Sequence, residues 1–275
     1  MQNKKVRIML GLLIIVLSIV IFCIWQNNDI VISRYVYENN KIGDKLEGFK
    51  IAQISDLHNK EFGSNSKRLL DKVRNEKPNV IVITGDIVDR NRTNIDIALE
   101  FVKGAVEIAP VFYVSGNHEY SISNNDWNKL MQNMEASGVI LMDNKTIEIG
   151  DDNGFYFVGL GEQNLTDGTL QTLISDLNPD KLKILLAHEP QNLKLYSQTK
   201  VDLIFAGHAH GGQFRLPFVG GLIAPNQGFF PKYTAGTYRE DQTTMVVSRG
   251  LGNSVIPVRI FNRPEIVIVT LRAVI

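Results

Sequence analysis

The chain has five histidines in 275 residues, His58, His118, His188, His208 and His210, and each stands just past the end of a short apolar run. Residues 51–55 lead into Asp56-Leu57-His58, residues 111–115 into Gly116-Asn117-His118-Glu119, residues 184–187 into His188, and residues 201–206 into Gly207-His208-Ala209-His210. A further run, residues 80–84, ends in Gly85-Asp86. Short apolar runs of this kind, alternating with amphipathic helical stretches, read as buried strands of a β-α-β chain. Ligands of open α/β sheets bind beyond the carboxyl ends of the strands. The fold must therefore bring five strand ends to one rim. His208 and His210 are two residues apart in extended chain and so point to the same side, with Ala209 turned away. Gly207, Gly211 and Gly212 allow the close backbone approach that a loop wrapped around ions needs.

Taken singly, each residue has a plainer reading: His208 and His210 as solvated loop residues, Asp86 as a turn aspartate capping Gly85. Their joint placement favours a metal site. Carboxylate, amide and imidazole donors without thiolates suit manganese, iron or zinc. The one cysteine, Cys23, lies in the N-terminal apolar segment, which excludes disulfides and Cys-ligated zinc from the rest of the chain. Seven ligand candidates, Asp56, His58, Asp86, Asn117, His188, His208 and His210, are too many for one ion. Two ions about 3.5–4 Å apart, sharing a carboxylate, form the usual clamp for displacement at phosphorus. Asp86 is the natural bridge, because a carboxylate spans two cations and an imidazole normally does not. His118, directly after Asn117, would stand just outside the coordination shell, placed to protonate a leaving oxygen.

Residues 8–25 carry no charge and follow Lys4, Lys5 and Arg7. Eighteen apolar residues are just enough to span a bilayer. A cleaved signal peptide is the competing reading, but Phe22-Cys23-Ile24-Trp25-Gln26 offers no small-x-small cleavage site. The expected domains are a cytoplasmic N-terminus (1–7), a transmembrane anchor (8–25), a short tether (26–29) and a catalytic domain (30–275). By the positive-inside rule that domain lies outside the cytoplasm. A four-residue tether reaches roughly 15 Å at most, holding it close to the bilayer. Net charge is zero, and setting aside Lys4, Lys5, Arg7 and Asp29 leaves 26 basic and 28 acidic residues, so no basic footprint points to nucleic acid.

The remaining pattern predicts strands at 30–37, 49–55, 79–84 and 110–115 and helices at 66–76, 93–107 (capped by Thr93) and 124–137 (closed by Gly138). A hairpin of 145–149 with 155–159, a helix at 170–177 and strands at 182–187, 201–206, 243–248, 255–261 and 265–271 follow. Two packed sheets with helices outside would bury both sets of strands. Residues 216–231 are uncharged and hold three prolines, three glycines, Phe218, Leu222, Ile223, Phe229 and Phe230. They read either as a loop folded over the core or as an apolar rim beside the metals.

Asp56-x-His58, Gly85-Asp86-x-x-Asp89, Gly116-Asn117-His118-Glu119, His188 and Gly207-His208-Ala209-His210, in that order from about residue 49 to 210, resemble the ordered signature of the calcineurin-like metallophosphoesterase superfamily. The continuation Gly211-Gly212-Gln213 resembles its bacterial membrane-associated phosphodiesterase branch. The resemblance implies an α/β four-layer α-β-β-α sandwich of two mixed sheets, here preceded by one transmembrane helix, and two divalent or trivalent metal ions (Mn, Fe or Zn). It implies one ion on Asp56, His58, Asp86 and His210, the other on Asp86, Asn117, His188 and His208, His118 near the leaving group, and Asp89 beside the ligands. The implied activity is hydrolysis of a phosphodiester or pyrophosphate bond, with a lipid-linked or cell-envelope phosphoester as one class of substrate. The rival is a metal-binding scaffold or partner-binding module without turnover, but such members lose ligands and this chain keeps them all.

Overall fold

A computed structural model describes residues 2–151, 154–164 and 168–274. Two six-stranded mixed sheets lie face to face. The first has the order β1 (Val31–Asn39), β16 (Glu265–Ala273), β2 (Lys50–Ile54), β3 (Val80–Thr84), β4 (Val111–Val114) and β5 (Ile140–Leu141); the second runs β14 (Gly236–Glu240), β15 (Thr243–Val247), β9 (Leu203–Ala206), β8 (Leu182–Leu186), β7 (Phe155–Gly159) and β6 (Lys145–Ile149). Strands β2 to β5 are mutually parallel, as are β7, β8, β9 and β15. The carboxyl ends of β2, β3, β4, β8 and β9 carry the residues that sequence spacing singled out.

Period-two burial explains why two sheets form. Ala52 and Ile54 of β2 pack outward beneath α2 (Lys67–Glu76), α3 (Ile95–Val106) and α4 (Asn124–Ala136), while Ile51 packs inward. Across the interface Leu203 and Phe205 face inward, and Ile204 and Ala206 face the layer of α5 (Thr169–Ser175) and α6 (Leu193–Ser197). Strands buried on both faces must be apolar throughout, which is how these runs read in the sequence. The result is the four-layer α-β-β-α arrangement. Phe112, Phe155 and Phe157 fill the space between the sheets, with ring centroids 4.8 and 4.9 Å apart on either side of Phe157.

Several expectations are corrected locally. Helix α3 is capped by Asn94, whose side chain accepts from Ile97 N, and not by Thr93. Residues 255–261 form no strand: Pro257 lacks a donor, and the chain bends around the fully buried Arg259, which donates to the carbonyls of Arg249 and Gly252. Of the two readings of segment 216–231, the loop folded over the core does not hold, since Phe218, Phe229 and Phe230 are exposed and only Ala224 is buried with the core. The segment makes two small hairpins, β10 (Arg215–Leu216) with β11 (Gly220–Gly221) and β12 (Ile223–Ala224) with β13 (Gly228–Phe229). Strands β6 and β7 pair antiparallel as expected; Asp152 and Asn153 of their connection lie outside the described residues.

Helix α1 (Gln2–Asn28) is long and apolar enough to cross a membrane; residues 4–21 are exposed, and burial begins only toward its C-terminal end. It continues through residues 26–28 instead of fraying into a free tether. Gln26 is buried and accepts from Asn262 N, Asn27 accepts from Lys60 and Asn253, Asn28 O accepts from Arg68, and Asp29 pairs with Arg263. Phe22 meets Phe261 edge-on at 5.5 Å, and Arg263 lies 5.2 Å from the Trp25 ring. Polar groups at a helix end seek partners, and here the domain supplies them.

Phe157→Ala is expected to destabilise the folded domain by about 3–5 kcal/mol, because the sheets cannot close over the lost ring. Urea denaturation followed by circular dichroism measures this; a loss below ~1 kcal/mol would mean that Phe157 is not part of the inter-sheet core.

Candidate metal centre

The strand ends bring all seven sequence-predicted ligands into one group, six of them buried and Asn117 half-buried. His58 Nε2 lies 3.1 Å from His210 Nε2 and 3.6 Å from Asp86 Oδ2, and His210 Nε2 is 3.5 Å from Asp56 Oδ1. On the other side His188 Nε2 is 3.3 Å from Asp86 Oδ2 and 3.0 Å from His208 Nδ1; Asn117 Oδ1 is 3.2 and 3.0 Å from those two nitrogens. The donor atoms thus fall into two sets, Asp56, His58, Asp86 and His210, and Asp86, His188 and His208, with Asn117 at the second. Asp86 belongs to both. One carboxylate stands between two nests of nitrogen and oxygen donors.

The local backbone is costly. Asp56, His58, Asp86, His208 and His210 all have φ between 46° and 63°, in the left-handed region that residues other than glycine seldom occupy. Strain of this kind persists only where surrounding contacts over-determine it, and it gathers at functional sites. The contacts are present. His58 N bonds Asp86 O at 3.0 Å, His208 N bonds the Asp56 carboxylate at 3.0 and 3.2 Å, and His118 N bonds Asp86 Oδ1 at 2.9 Å. Gln53 spans the two sheets, donating to Ala206 O and Thr84 Oγ1.

Glu119 is a member of the site that sequence reasoning left without a role, although it closes the Gly116-Asn117-His118-Glu119 motif. It is fully buried, and its carboxylate accepts the N–H groups of Asp86, Val88 and Gly116, so it pins two of the rim loops together. Asn226 and Glu189, which sequence reasoning also left out, act around His208. Asn226 Nδ2 donates to Glu189 Oε1 and lies 3.3 Å from His208 Nε2, which leaves Nδ1 facing the site. His188 is oriented in the same manner, its Nδ1 2.7 Å from Thr84 O and its Nε2 directed inward. Supporting contacts of this sort fix the ring and tautomer of a ligating histidine.

Burial, the largest influence, pushes His58 and His208 down to about 3 and lowers His210, so these imidazoles are neutral. Burial also raises Asp56 to about 6. At Asp86 burial works the other way from the surrounding imidazoles, His188 first, and the imidazoles hold the carboxyl well below its usual range. His58, His208 and His210 are thus in the neutral state that binds cations and Asp86 in the ionised one; at His188 burial is outweighed by Asp86, which raises the imidazole well above its ordinary value, so a cation bound there takes the place of its proton. His58 Nδ1 and His210 Nδ1 are buried without a partner, and their Nε2 atoms converge face to face. Nitrogen and oxygen donors converging with no thiolate fit two borderline or hard cations.

His118 stands apart from both donor sets. Its Nδ1 accepts Arg90 N–H at 3.0 Å, and its Nε2 lies 3.3 Å from Ser254 Oγ. Asp89 Oδ1 is 3.8 Å from Nδ1 and is otherwise engaged with Asn91 N, so Asp89 sits beside the ligands. His118, Asp86, Asn117, His208 and His210 open into a cavity of ≈ 340 Å³ whose opposite wall is Ile223, Ala224, Pro225, Val255 and Ile256. Arg90 is the one arginine or lysine lining it among the described residues.

The calcineurin-like phosphoesterase family model matches residues 49–212, and the chain belongs to that family. The uncharacterized metallophosphoesterase YkuE of Bacillus subtilis is 29% identical over 247 residues, covering 88% of this chain and 85% of that one. The phosphodiesterase YaeI of Escherichia coli is 29% identical over 234 residues, covering 83% and 84%. A bovine transmembrane protein with a metallophosphoesterase domain is 29% identical over 255 residues, covering 85% of this chain and 55% of its own length. The resemblance read from the motifs holds at the level of the family, and the chain is a metal-dependent phosphoesterase.

Gly207 tests the packing of the rim. A Cβ there would lie 1.9 Å from Ser55 Oγ and 2.5 Å from Asp56 Oδ2. Gly207→Ala is expected to cost about 1–3 kcal/mol in thermal unfolding through overpacking. An unchanged melting temperature would show that Ser55 and Asp56 give way freely.

Proposed function

We propose that the chain is a two-metal-dependent hydrolase that cleaves a phosphodiester or pyrophosphate bond at the rim of the two sheets. The observation that carries this reading is Asp86, one carboxylate shared by two buried donor sets. Asp56, His58, Asp86 and His210 would hold one ion and Asp86, Asn117, His188 and His208 the other, with manganese, iron or zinc all compatible with the donors. Bound there, the ions would supply Lewis acidity toward a phosphoryl oxygen and lower the pKa of an attacking water.

The chain's own groups do the rest. Arg90, at the cavity mouth, orients an anionic ester. His118 receives Arg90 N–H on Nδ1, so its proton sits on Nε2, directed into the cavity beside Ser254. In that state it donates a hydrogen bond to the leaving oxygen. Full proton transfer from an imidazolium requires Nδ1 to turn its bond from Arg90 N–H toward Asp89, 3.8 Å away. The apolar wall of Ile223, Pro225, Val255 and Ile256 favours an ester with an apolar portion, which supports a lipid-linked or cell-envelope substrate over a free nucleotide. We read α1 as a single-pass anchor, its N-terminus cytoplasmic and the catalytic domain outside.

His118→Ala is expected to keep both metals and to lose turnover of bis(p-nitrophenyl) phosphate by about 10²- to 10⁴-fold, the usual worth of a general acid. Metal content falling in step with activity would make His118 a ligand. Asp86→Asn is expected to empty both positions; two retained ions by elemental analysis would remove its bridging role. Retention of metals without turnover of any ester by the unmodified chain would favour the scaffold reading.

Protease added to intact cells is expected to digest the domain, since Lys4, Lys5 and Arg7 precede the apolar segment. Digestion only after lysis would reverse the orientation.

A further inference from the structure

Outside α1, nine large apolar side chains are exposed among the described residues, and seven of them, Leu216, Phe218, Val219, Phe229, Phe230, Val255 and Phe261, lie in two short segments. These segments are neighbours. Phe214 bridges Ile260, Arg215 N bonds Ile260 O at 3.0 Å, and Gln213 Nε2 donates to the carbonyls of Ile256 and Val258. Leu222 N bonds Phe214 O, and Phe230 N bonds Leu222 O, which joins the second hairpin to the first. At the other end Phe261 packs on Phe22 of α1. A path of exposed apolar residues thus runs from the anchor helix across both hairpins.

Three of these aromatics are also strained. Phe218, Phe230 and Phe261 hold φ of 66°, 52° and 51°, where a bulky residue is a genuine outlier. Phe218 is wholly exposed, so no burial of its ring offsets that cost. Charge follows the same pattern. Residues 207–238 and 249–264 contain no aspartate or glutamate; of the cations within them Lys232 is exposed and Arg215 half-buried, whereas Arg259 is buried and Arg249 and Arg263 are paired with Glu265 and Asp29. Exposed aromatics with no anion among them suit the headgroup boundary of a bilayer.

We propose that the two hairpins, with Val255 and Phe261, dip into the boundary of the same membrane that α1 crosses, so that the metal cavity opens onto the lipid surface. The proposal rests on the reading of α1 as an anchor and of the site as a hydrolase. Continuity with the docked helix selects the bilayer as occupant: Phe22, on an apolar helix, already covers one end of the path. Ile223, Pro225, Val255 and Ile256 of the cavity wall belong to these segments, so the immersed surface continues into the site. An amphiphile in that membrane presents its phosphoester to the metals while its chains stay in lipid.

The test uses the full chain in nanodiscs of phosphatidylcholine and phosphatidylglycerol, with Cys23→Ser as background. Phe229→Cys and, at the opposite end of β8 from the site, Asp180→Cys each carry an environment-sensitive fluorophore. The label at 229 is expected to shift to the blue and to be quenched by nitroxide-bearing lipid, and the label at 180 to do neither. A solvent-exposed label at 229, or a blue shift without lipid quenching, overturns the proposal; the second outcome would assign the surface to a protein partner. Independently, Phe218→Ser with Phe229→Ser and Phe230→Ser is expected to keep turnover of bis(p-nitrophenyl) phosphate and the melting temperature. The diester in which a dialkylglycerol replaces one p-nitrophenyl group should be turned over about tenfold more slowly than by the unsubstituted chain, the order of one lost phenylalanine burial. Equal loss on both esters overturns it. Lipid quenching without turnover of either ester would fail the hydrolase reading alone, and turnover without quenching the docking alone.

Discussion

Asp86 is a carboxylate shut away from water among His58, His118 and His188, and the way the chain tolerates it fixes the rim. Its side chain accepts His118 N–H, its own N–H goes to Glu119, and its carbonyl receives His58 N–H. A buried carboxylate left short of partners costs several kcal/mol. Three loops from β2, β3 and β4 are therefore held to one another through this residue and the Glu119 carboxylate behind it. The loop after β9 joins them through His208 N and Asp56. Left-handed backbone at five ligand-type residues accompanies this arrangement, while Asn117 and His188 reach the same site without it.

The fold was legible from the strand runs because parallel strands buried on both faces must be continuously apolar. Each run ended in a chemistry-bearing residue, so the site was legible by the same signal. What escaped was set by contacts that have no local pattern. Arg259 sits in the apolar-looking run 255–261, and its guanidinium turns that run from a strand into a loop. Glu119 looked like the last letter of a motif; its three backbone partners come from two different loops. The left-handed φ values were invisible because Asp56, Asp86 and the histidines occupy positions where glycine would be the usual signal.

Segment 249–263 links helix α1 to the catalytic rim. Gly252 N and Leu251 N bond the carbonyls of Asp56 and Ser55, and Ser254 lies against His118. Arg259 Nε reaches Asn253, which in turn donates to Asn27 of α1. From Asn27 to Asp56 the route passes through hydrogen bonds of buried or half-buried groups and one fully buried guanidinium. Burial of that cation costs less here because backbone carbonyls surround it and Asp56 lies near. The helix end and the rim therefore share one supporting structure, which explains why residues 26–29 are bonded to the domain along their length.

The same segment explains the placement of the apolar hairpins. Asn262 Nδ2 donates to the carbonyls of His210 and Gln213, so the chain leaving the last histidine is clamped to the residue beside Phe261. From that clamp the chain has two directions open, back over the core or outward past the cavity. The core route is filled: Leu193 and Tyr196 occupy the outer face of β9, and of the hairpin segment only Ala224 joins them. The hairpins go outward, and Ile223, Ala224 and Pro225, which they leave behind at their base, become the apolar wall of the cavity. Ligand geometry, the docking of α1 and the exposed aromatics are thus three results of how one pair of neighbouring segments crosses the ends of the sheets.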